Sequence, residues 1–444
     1  MSDLRPNILL IMTDDQPYYT LGGMDGVMNR LVARGVRFGN GYVGTPICGP
    51  ARGEVLTGKW SHRTGLIHTE GDTDAFEEWH SSGEEGRSIL KRVADVEYAV
   101  FLGGKFTNGL KNAQYVAPGV AQWFAQLEPF NHEDEFYYSI NGDHKRTVTR
   151  GGDWKHNETG VLAGFAETFI RTHSTTDGWF ACVWPHAPHG PYFPLDRYKD
   201  DFRREVSPTE ADPDFDERNV TDKDPLVRRL GRDATRAVQQ ERHSEYRGKK
   251  REIEEVDDLF VQCHRALVDT NQLERTYIFF VTDNGYEFGG HRLDKKNWPY
   301  EDSTRTPYVA AGPDVRSGVR SPNLVTHLDL APTICGIAGA DSRGFDGRNL
   351  LPILRGDDPS TFEWRRYLMV EAEQRGWHSV RNDRFLYVSW NDGFEELYDY
   401  QDDPYQLDGR IVTTEEQAVV EDMRQRLAVM KSSTTPQEYK AAEV

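Results

Sequence analysis

Four short apolar runs, rich in β-branched and aromatic residues, constrain the fold of this chain most, because each stops abruptly at residues that can do chemistry. They cover residues 7–12, 98–102, 179–184 and 277–281. Runs that are apolar throughout suit strands buried on both faces of a parallel sheet, and in open α/β sheets ligands bind beyond the carboxyl ends of such strands. The sequence therefore predicts four strand-to-loop junctions that share one cleft.

Helical patterns lie between these runs. Apolar residues recur at helical spacing over residues 27–34, 88–93, 162–172 and about 241–269. The alternation of strands and helices indicates an α/β protein. The charged, proline-interrupted stretch 196–250 is interpreted either as a solvated surface loop or as a flap that contacts substrate.

The pattern changes after residue 330. Short β-type runs at 367–370, 379–380, 385–390 and 396–398 are separated by turn residues, among them the hairpin signal Asp392-Gly393. We predict a small antiparallel sheet there, closed by a helix at about 415–430. The expected organisation is a catalytic α/β domain over residues 1–355 and a small C-terminal subdomain over residues 356–444.

The balance of charge excludes several classes of partner. The 444 residues carry 53 Lys and Arg against 72 Asp and Glu, a net charge of −19, so nucleic acid or an anionic membrane would be repelled. No apolar run approaches the roughly 20 residues that span a bilayer. Because no signal-peptide pattern precedes the first strand, we expect a cytoplasmic protein. Four cysteines without metal-type spacing argue against a disulfide framework and a zinc site.

Two pairs of polar residues follow two of the predicted strands: Asp14 and Asp15 follow the first, and Asp283 and Asn284 follow the last. Neighbouring strands would bring three carboxylates and an amide oxygen together. A divalent ion with oxygen ligands removes the repulsion between such charges, which favours calcium or magnesium over zinc. The alternative is that each pair only forms a turn or caps a helix.

Cys48 stands in a segment where proline and glycine prevent a strand. A cysteine at such a turn or helix start can be exposed and activated. The alternative is a small buried side chain, which we expect for Cys182, Cys263 and Cys335. Arg52, one helical turn after Cys48, would direct its guanidinium to the same place and could hold an oxyanion there.

The segment Cys48-Gly49-Pro50-Ala51-Arg52, followed by Leu56-Thr57-Gly58, resembles the signature of the sulfatase family, in which the cysteine of a C-x-P-x-R element is oxidised to formylglycine. Other motifs of that family have counterparts here, in the same order, over about residues 7–352. They are Thr13-Asp14-Asp15-Gln16, Gly104-Lys105, Pro188-His189-Gly190-Pro191-Tyr192, Thr282-Asp283-Asn284-Gly285, Gly289-Gly290-His291 and Lys296. Residues 381–407 resemble the family's C-terminal subdomain.

The resemblance implies an alkaline-phosphatase-like fold, with a large mixed, mostly parallel sheet sandwiched by helices and a small C-terminal antiparallel sheet and helix. Within the family, segments 104–108, 116–124 and 219–223 are most similar to the branch of N-acetylglucosamine-6-sulfatases and heparan 6-O-endosulfatases. Two positions depart from the common pattern. Ala51 stands where serine is usual, and Thr107 stands where many arylsulfatases have histidine.

The resemblance also implies the chemistry. A formylglycine-generating enzyme would oxidise Cys48, and the hydrated aldehyde would attack an O-sulfate ester of a sugar or polar alcohol. Asp283 would accept the proton of this nucleophile, and His189 or Lys296 would protonate the leaving alkoxide. The groups expected to stabilise charge on the sulfuryl group are Arg52, Lys105 and Lys296. The expected ligands of the ion, Ca²⁺ with Mg²⁺ as the alternative, are Asp14, Asp15, the side chain at position 48, Asp283 and Asn284.

Substrate specificity is expected to come from the rim of the cleft, through the 196–250 stretch and the C-terminal sheet, because the groups above are committed to the sulfate. The predicted substrate contacts are Asn108, His186, His291, Trp377 and His378. Two other functions stay open: a phosphonate or phosphodiester monoester hydrolase on the same scaffold, and a binding protein without catalytic activity.

Overall fold

The computed structural model describes residues 5–71, 73–132, 135–149, 151–175 and 178–444, so the first four residues of the predicted catalytic domain lie outside it. The first twelve strands of this described part are β1 Asn7–Thr13, β2 Val36–Tyr42, β3 Ala99–Gly104, β4 Gln122–His132, β5 Glu135–Ile140, β6 His144–Thr149, β7 Trp179–Trp184, β8 Thr276–Thr282, β9 Glu287–Phe288, β10 Asp294–Lys295, β11 Tyr308–Ala311 and β12 Val319–Thr326.

Ten of these strands form one sheet, in the order β12-β2-β11-β8-β1-β7-β3-β4-β5-β6. The four runs predicted from the sequence are β1, β3, β7 and β8, and they lie side by side at its centre, paired in parallel. Antiparallel pairs join β11 to both its neighbours and join β4, β5 and β6 in succession. The predicted fold class, a mixed and mostly parallel sheet, is confirmed.

Helices cover both faces of this sheet. Residues of β1 alternate between two cores: Ile8 packs in the core on one face, and Leu9 packs in the core on the other. No helix within the described ranges has the length and apolar character needed to cross a bilayer. The α-helices are α1 Asp25–Arg30, α2 Cys48–Thr57, α3 Ser61–Thr64, α4 Ala75–Ser81, α5 Ile89–Ala94, α6 Glu158–Thr172, α7 Pro225–Leu230, α8 Arg236–Asp269, α9 Glu301–Thr304, α10 Leu330–Ala338, α11 Leu351–Arg355, α12 Thr414–Ser432 and α13 Pro436–Ala442.

The long helix α8 corrects the interpretation of the charged stretch 196–250. Thr235 caps its N-terminus by accepting a hydrogen bond from the backbone N–H of Val238. Residues 236–250 are therefore helical rather than a loop, and the helix predicted over about 241–269 is confirmed but begins at residue 236. Their charged side chains belong to an amphipathic helix whose apolar face, including Ile253 and Phe260, packs on the sheet.

The C-terminal sheet is antiparallel, in the order β13-β14-β15-β16. Its strands are β13 Leu368–Ala372, β14 Trp377–Arg381, β15 Phe385–Trp390 and β16 Glu395–Asp399. One core joins it to the rest of the molecule, since Met369 and Tyr387 share a cluster with Tyr42, Trp60 and α12 residue Met423. The small sheet and its helix were predicted, and the domain boundary at residue 355 stays a prediction.

Candidate active site

The candidate metal ligands follow two adjacent parallel strands. β1 and β8 pair in register up to Thr13 and Thr282, so the loops that follow leave the sheet side by side. Asp15 donates its backbone N–H to Asp283 Oδ1 (3.1 Å), and Asn284 Nδ2 donates to Asp15 Oδ1 (2.7 Å). The structure thus brings together side chains that lie more than 260 residues apart in sequence.

The residues at this junction fit a divalent cation. Asp14, Asp15, Cys48 and His189 each offer a ligand atom, and these four atoms lie within 4.8 Å of one another. Asn284 is fully buried, yet its Oδ1 has no hydrogen-bond partner among the described residues. A buried acceptor of this kind would be satisfied by a cation. The oxygen donors favour a hard ion such as Ca²⁺ or Mg²⁺.

Cys48 is the first residue of α2, and only 1% of its surface is exposed. Its Sγ lies 3.2 Å from Asp14 Oδ1 and accepts a hydrogen bond from Lys296 Nζ at 2.7 Å. Burial, and then the charges of Asp14 and Asp283, hold the pKa of the thiol well above its ordinary value. The expectation of an exposed, activated cysteine is therefore wrong. Position 48 lies inside the site, and an unmodified thiol there is a poor nucleophile.

Arg52 is fully buried and connects two of the carboxylates. Its Nε donates to Asp283 Oδ2 at 2.9 Å, and its Nη2 lies 3.4 Å from Asp14 Oδ2. Nη1 donates to the backbone oxygen of Lys105. Burial disfavours the guanidinium charge, but Asp283 and Asp14 outweigh it and raise the pKa above its ordinary value. The arginine is therefore held in one orientation beside position 48.

Two lysines approach the same centre from separate loops. Lys105, after β3, forms an ion pair with Asp14, and Lys296, after β10, forms one with Asp15. Burial opposes both ammonium charges, yet the neighbouring carboxylates raise the pKa of each lysine. Both side chains are therefore cationic at neutral pH, beside the sulfur of Cys48.

Lys249 completes this set of cations and was missed from the sequence. It is fully buried on α8, with Nζ 3.7 Å from Asp15 Oδ2 and donating to the backbone oxygens of Asp15 (3.1 Å) and Pro188 (3.2 Å). Its ammonium also lies 3.9 Å from the ring centroid of Tyr286. A signal was available, because Lys249 stands four residues before Ile253 on the apolar face of the helix, where lysine is unusual.

The three carboxylates differ in protonation. Burial, and then the charge of Asp14, raise the pKa of Asp283 to about 6. For Asp14 and Asp15 burial acts in the same direction, but the nearby cations outweigh it and lower both pKa values below the ordinary range. Asp283 is therefore the carboxylate best suited to exchange a proton near neutral pH.

His189 lies at the edge of the site, with His186 behind it. The His189 Nδ1 is 2.6 Å from the backbone oxygen of Gly190, which makes Nδ1 the protonated nitrogen of the neutral ring. Nε2 then faces Asp15 Oδ2 at 3.6 Å. Burial lowers the pKa of His189 to about 4, against the influence of Asp15. The ring of His186 is fully buried, 4.7 Å from that of His189 between centroids.

A cleft of about 720 Å³ opens onto the site. Asp15, His189 and Lys296 line it together with residues outside the predicted set. Six of these are Glu70, Tyr192, Glu245, Tyr286, Asn297 and Arg375. Its volume and mixed polar and aromatic lining suit a small ligand such as a monosaccharide.

The structure does not bring Trp377 and His378 to this cleft as substrate contacts. Trp377 is fully buried, and its Nε1 donates to the backbone oxygen of Asn297 at 3.1 Å. His378 is 1% exposed and pairs through Nε2 with Glu373 Oε1 at 2.8 Å. Trp377 and His378 are consecutive on β14 and point to opposite faces of the C-terminal sheet, but both are buried there, so neither has a surface to offer a substrate.

Two further predicted contacts also lie elsewhere. His291 is 2% exposed, lies 2.7 Å from Glu217 Oε2 through Nδ1, and lines a separate cavity of about 280 Å³. Burial lowers the pKa of His291 to about 3, so the ring is neutral. Asn108 is 6% exposed and is not among the residues that line the cleft in the described part of the chain.

Comparison with known proteins identifies the family of this chain. A model described as Sulfatase matches residues 6–340, and a second, described as N-sulphoglucosamine sulphohydrolase, C-terminal, matches residues 289–433. N-acetylglucosamine-6-sulfatase of Homo sapiens is 31% identical over 395 residues, which cover 84% of this chain and 68% of that protein. The resemblance predicted from the sequence is confirmed.

Solved structures share the fold. A complex with the substrate D-glucosamine-2-N,6-O-disulfate matches with a TM-score of 0.77 and 19% identity over 98% of both chains. The phosphonate monoester hydrolase of Agrobacterium radiobacter matches with a TM-score of 0.73 and 20% identity over 96% of this chain and 95% of that one. At such identities the likeness establishes the architecture alone. The sulfatase model, which matches most of the residues, and the human relative decide the family: this chain belongs to the sulfatases and is a sulfuric ester hydrolase.

Proposed function

We propose that the protein hydrolyses an O-sulfate ester of a sugar, using formylglycine made from Cys48 and one calcium ion. The observation that carries this proposal is the position of Cys48 Sγ, 3.2 Å from Asp14 Oδ1 and 2.7 Å from Lys296 Nζ. An oxygen nucleophile at this position would lie between the metal ligands and a cation that can bind the sulfate. A formylglycine-generating enzyme is the partner that such a maturation needs.

The sugar is supported by the comparisons and by the cleft. The human relative is named for a 6-sulfated N-acetylglucosamine, and the solved complex holds a sulfated glucosamine. The cleft of about 720 Å³ has room for one such ring beside the sulfate site. Tyr192, which is half-buried in the wall of the cleft, supplies a flat apolar surface on which a sugar can lie.

The ion would be held by Asp14, Asp15, Asp283 and Asn284 with the side chain at position 48. When bound, calcium supplies positive charge that acidifies the nucleophile and offsets negative charge on the sulfuryl oxygens. Calcium is favoured because all four protein donors are oxygens and the unsatisfied Oδ1 of Asn284 is an amide oxygen of the kind that Ca²⁺ accepts.

The remaining steps belong to side chains of this chain. Asp283, which lies next to position 48 in the ligand set, accepts the proton of the nucleophile. Arg52, Lys105 and Lys296 stabilise the charge that spreads over the sulfuryl oxygens. An alkoxide is a poor leaving group, so a proton must reach the sugar oxygen. Lys296 is the group that holds a proton at neutral pH, because burial lowers the pKa of His189 and leaves that ring neutral.

A phosphonate or phosphodiester monoester hydrolase is the second candidate, since one such enzyme shares the fold with a TM-score of 0.73. The test is to measure kcat/KM of calcium-loaded protein, with the formylglycine content known, for 6-O-sulfated glucosamine, an aryl sulfate and a phosphodiester. We expect the sugar sulfate to be hydrolysed fastest and a chelator to abolish turnover. Preferential turnover of the phosphodiester would overturn the proposal in favour of the second candidate. Activity on the aryl sulfate alone would show that a sugar sulfate is not the substrate.

A further inference from the structure

Arg375 is a cation of the cleft that has no counter-ion among the described residues. It lies in the turn between β13 and β14, where its backbone N–H donates to the carbonyl oxygen of Ala372. Its guanidinium lies 4.1 Å from the ring centroid of Trp298 and lines the cleft. No carboxylate of the described residues lies within 4.0 Å of it. The other half-buried or buried arginines of this region are paired, as Arg381 is with Glu301.

An unpaired guanidinium that is partly withdrawn from water is unfavourable. Burial lowers the pKa of Arg375, and no neighbouring charge contributes to that shift. The stacked ring of Trp298 offsets part of the cost and fixes the direction of the side chain. In a chain with a net charge of −19, an isolated cation held at the substrate cleft is a local site for an anion.

Asn297 adds a second unsatisfied group to the same wall of the cleft. It is 4% exposed, its Oδ1 has no hydrogen-bond partner among the described residues, and it lines the cleft beside Arg375. Its backbone oxygen accepts a hydrogen bond from Trp377 Nε1, which fixes the peptide in place. Asn297 lies in sequence between Lys296, whose ammonium contacts Cys48, and Trp298, whose ring stacks against Arg375.

We propose that Arg375 forms an anion subsite for a second negatively charged substituent, a sulfate or a carboxylate, of the saccharide whose O-sulfate is hydrolysed at position 48, and that the side-chain oxygen of Asn297 accepts a hydrogen bond from a neutral group next to it. This inference rests on the proposed function. Arg375 supplies the charged, planar donor that matches either oxyanion. Asn297 supplies an amide for the neighbouring N–H or hydroxyl group, and Trp377 acts as a positioning residue behind it.

The experiment compares substrates that differ in charge. These are 6-O-sulfated N-acetylglucosamine, glucosamine 2-N,6-O-disulfate, and 6-O-sulfated N-acetylglucosamine joined to a hexuronic acid. The wild type should prefer one of the two doubly charged substrates, and which one it prefers identifies the anion as a sulfate or a carboxylate. Arg375→Gln should lower kcat/KM for that substrate about ten- to a hundredfold, the range of a lost hydrogen bond to a charged group.

The split between KM and kcat separates binding from a structural defect. The subsite is remote from the reacting bond, so Arg375→Gln should raise KM with kcat nearly unchanged, and it should leave the singly charged substrate almost unaffected. Arg375→Lys should recover part of the loss. The matched control is Arg343→Gln, which changes the net charge equally at a side chain that is 90% exposed and does not line the cleft.

Equal wild-type turnover of all three substrates, together with no selective effect of Arg375→Gln, would overturn the subsite while leaving the sugar sulfatase in place. Equal losses on singly and doubly charged substrates would overturn it as well, because they would reveal a general defect. No turnover of any of the three by fully modified, calcium-loaded wild type would instead refute the proposed function, and the subsite with it.

Discussion

Replacing Arg52 with lysine keeps the positive charge but removes the planar set of donors. The substitution therefore tests whether the buried guanidinium holds the carboxylates around position 48 in place. Arg52 donates from Nε to Asp283 Oδ2 (2.9 Å) and from Nη1 to the backbone oxygen of Lys105, while Nη2 lies 3.4 Å from Asp14 Oδ2. The single ammonium of lysine cannot reach all three positions. Loss of two buried, charge-assisted contacts at about 1.5–3 kcal/mol each predicts a destabilisation of about 3–6 kcal/mol.

The assay is urea unfolding followed by tryptophan fluorescence, with kcat/KM measured on the same samples. Arg52→Lys should lower the urea midpoint without changing the slope, and should lower kcat/KM about a hundredfold or more, as expected when a fixed donor to the developing charge is lost. Arg343→Lys is the control, because this arginine pairs with Asp341 at the surface and should change neither quantity. If the Arg52→Lys variant has the urea midpoint and turnover of that control, the guanidinium of Arg52 is not required to hold the site together.

Three further predictions concern position 48, α8 and a buried glutamate. Cys48→Ala should abolish turnover while the unfolding midpoint stays close to wild type, and Cys48→Ser should fare scarcely better because serine cannot regenerate an aldehyde; near-normal turnover of Cys48→Ala would disprove the covalent mechanism. Lys249→Met should tighten calcium binding, measured by calorimetry, because it removes a competing cation 3.7 Å from Asp15 Oδ2; unchanged or weaker binding would argue against that competition. Burial, and then the charge of Glu371, raise the pKa of Glu54 to about 8 from 4.5, so the folded chain holds a proton that the unfolded chain has lost, and the free energy of unfolding should fall as pH rises through that interval. Glu54→Gln should flatten this decline in urea midpoints measured from pH 5 to 8.5, and an unaltered decline would contradict the assignment.

The centre of the fold could be predicted from the sequence because its strands are buried on both faces. β1 and β8 are apolar along nearly their whole length, and each ends at residues with chemical function. The edge strands could not be predicted in the same way. β6 has the sequence HKRTVT, whose polar residues give no buried-strand pattern, and it lies at the edge of the ten-stranded sheet next to β5.

In the site, sequence motifs predicted the side chains around position 48 but not those whose role depends on distant contacts. The position of Lys249 on the apolar face of α8 could have been read from the sequence, but its partner Asp15 lies 234 residues earlier, and no local pattern encodes that contact. The C-terminal sheet was expected to reach the substrate through Trp377 and His378, because specificity was expected to come from the rim of the cleft. The side chain of Trp377 points into the core instead, and the cleft is lined by Arg375 in the preceding turn.

The proposed mechanism requires that Cys48, as formylglycine, carries out sulfate ester hydrolysis. The direct measurement is to express the chain with and without a formylglycine-generating enzyme, determine the modified fraction of the Cys48 peptide by mass spectrometry, and measure turnover of 6-O-sulfated glucosamine on each preparation. With formylglycine as the nucleophile, turnover should rise in proportion to the modified fraction and extrapolate to zero for the free thiol. Equal turnover in preparations with modified and with unmodified Cys48 would contradict it.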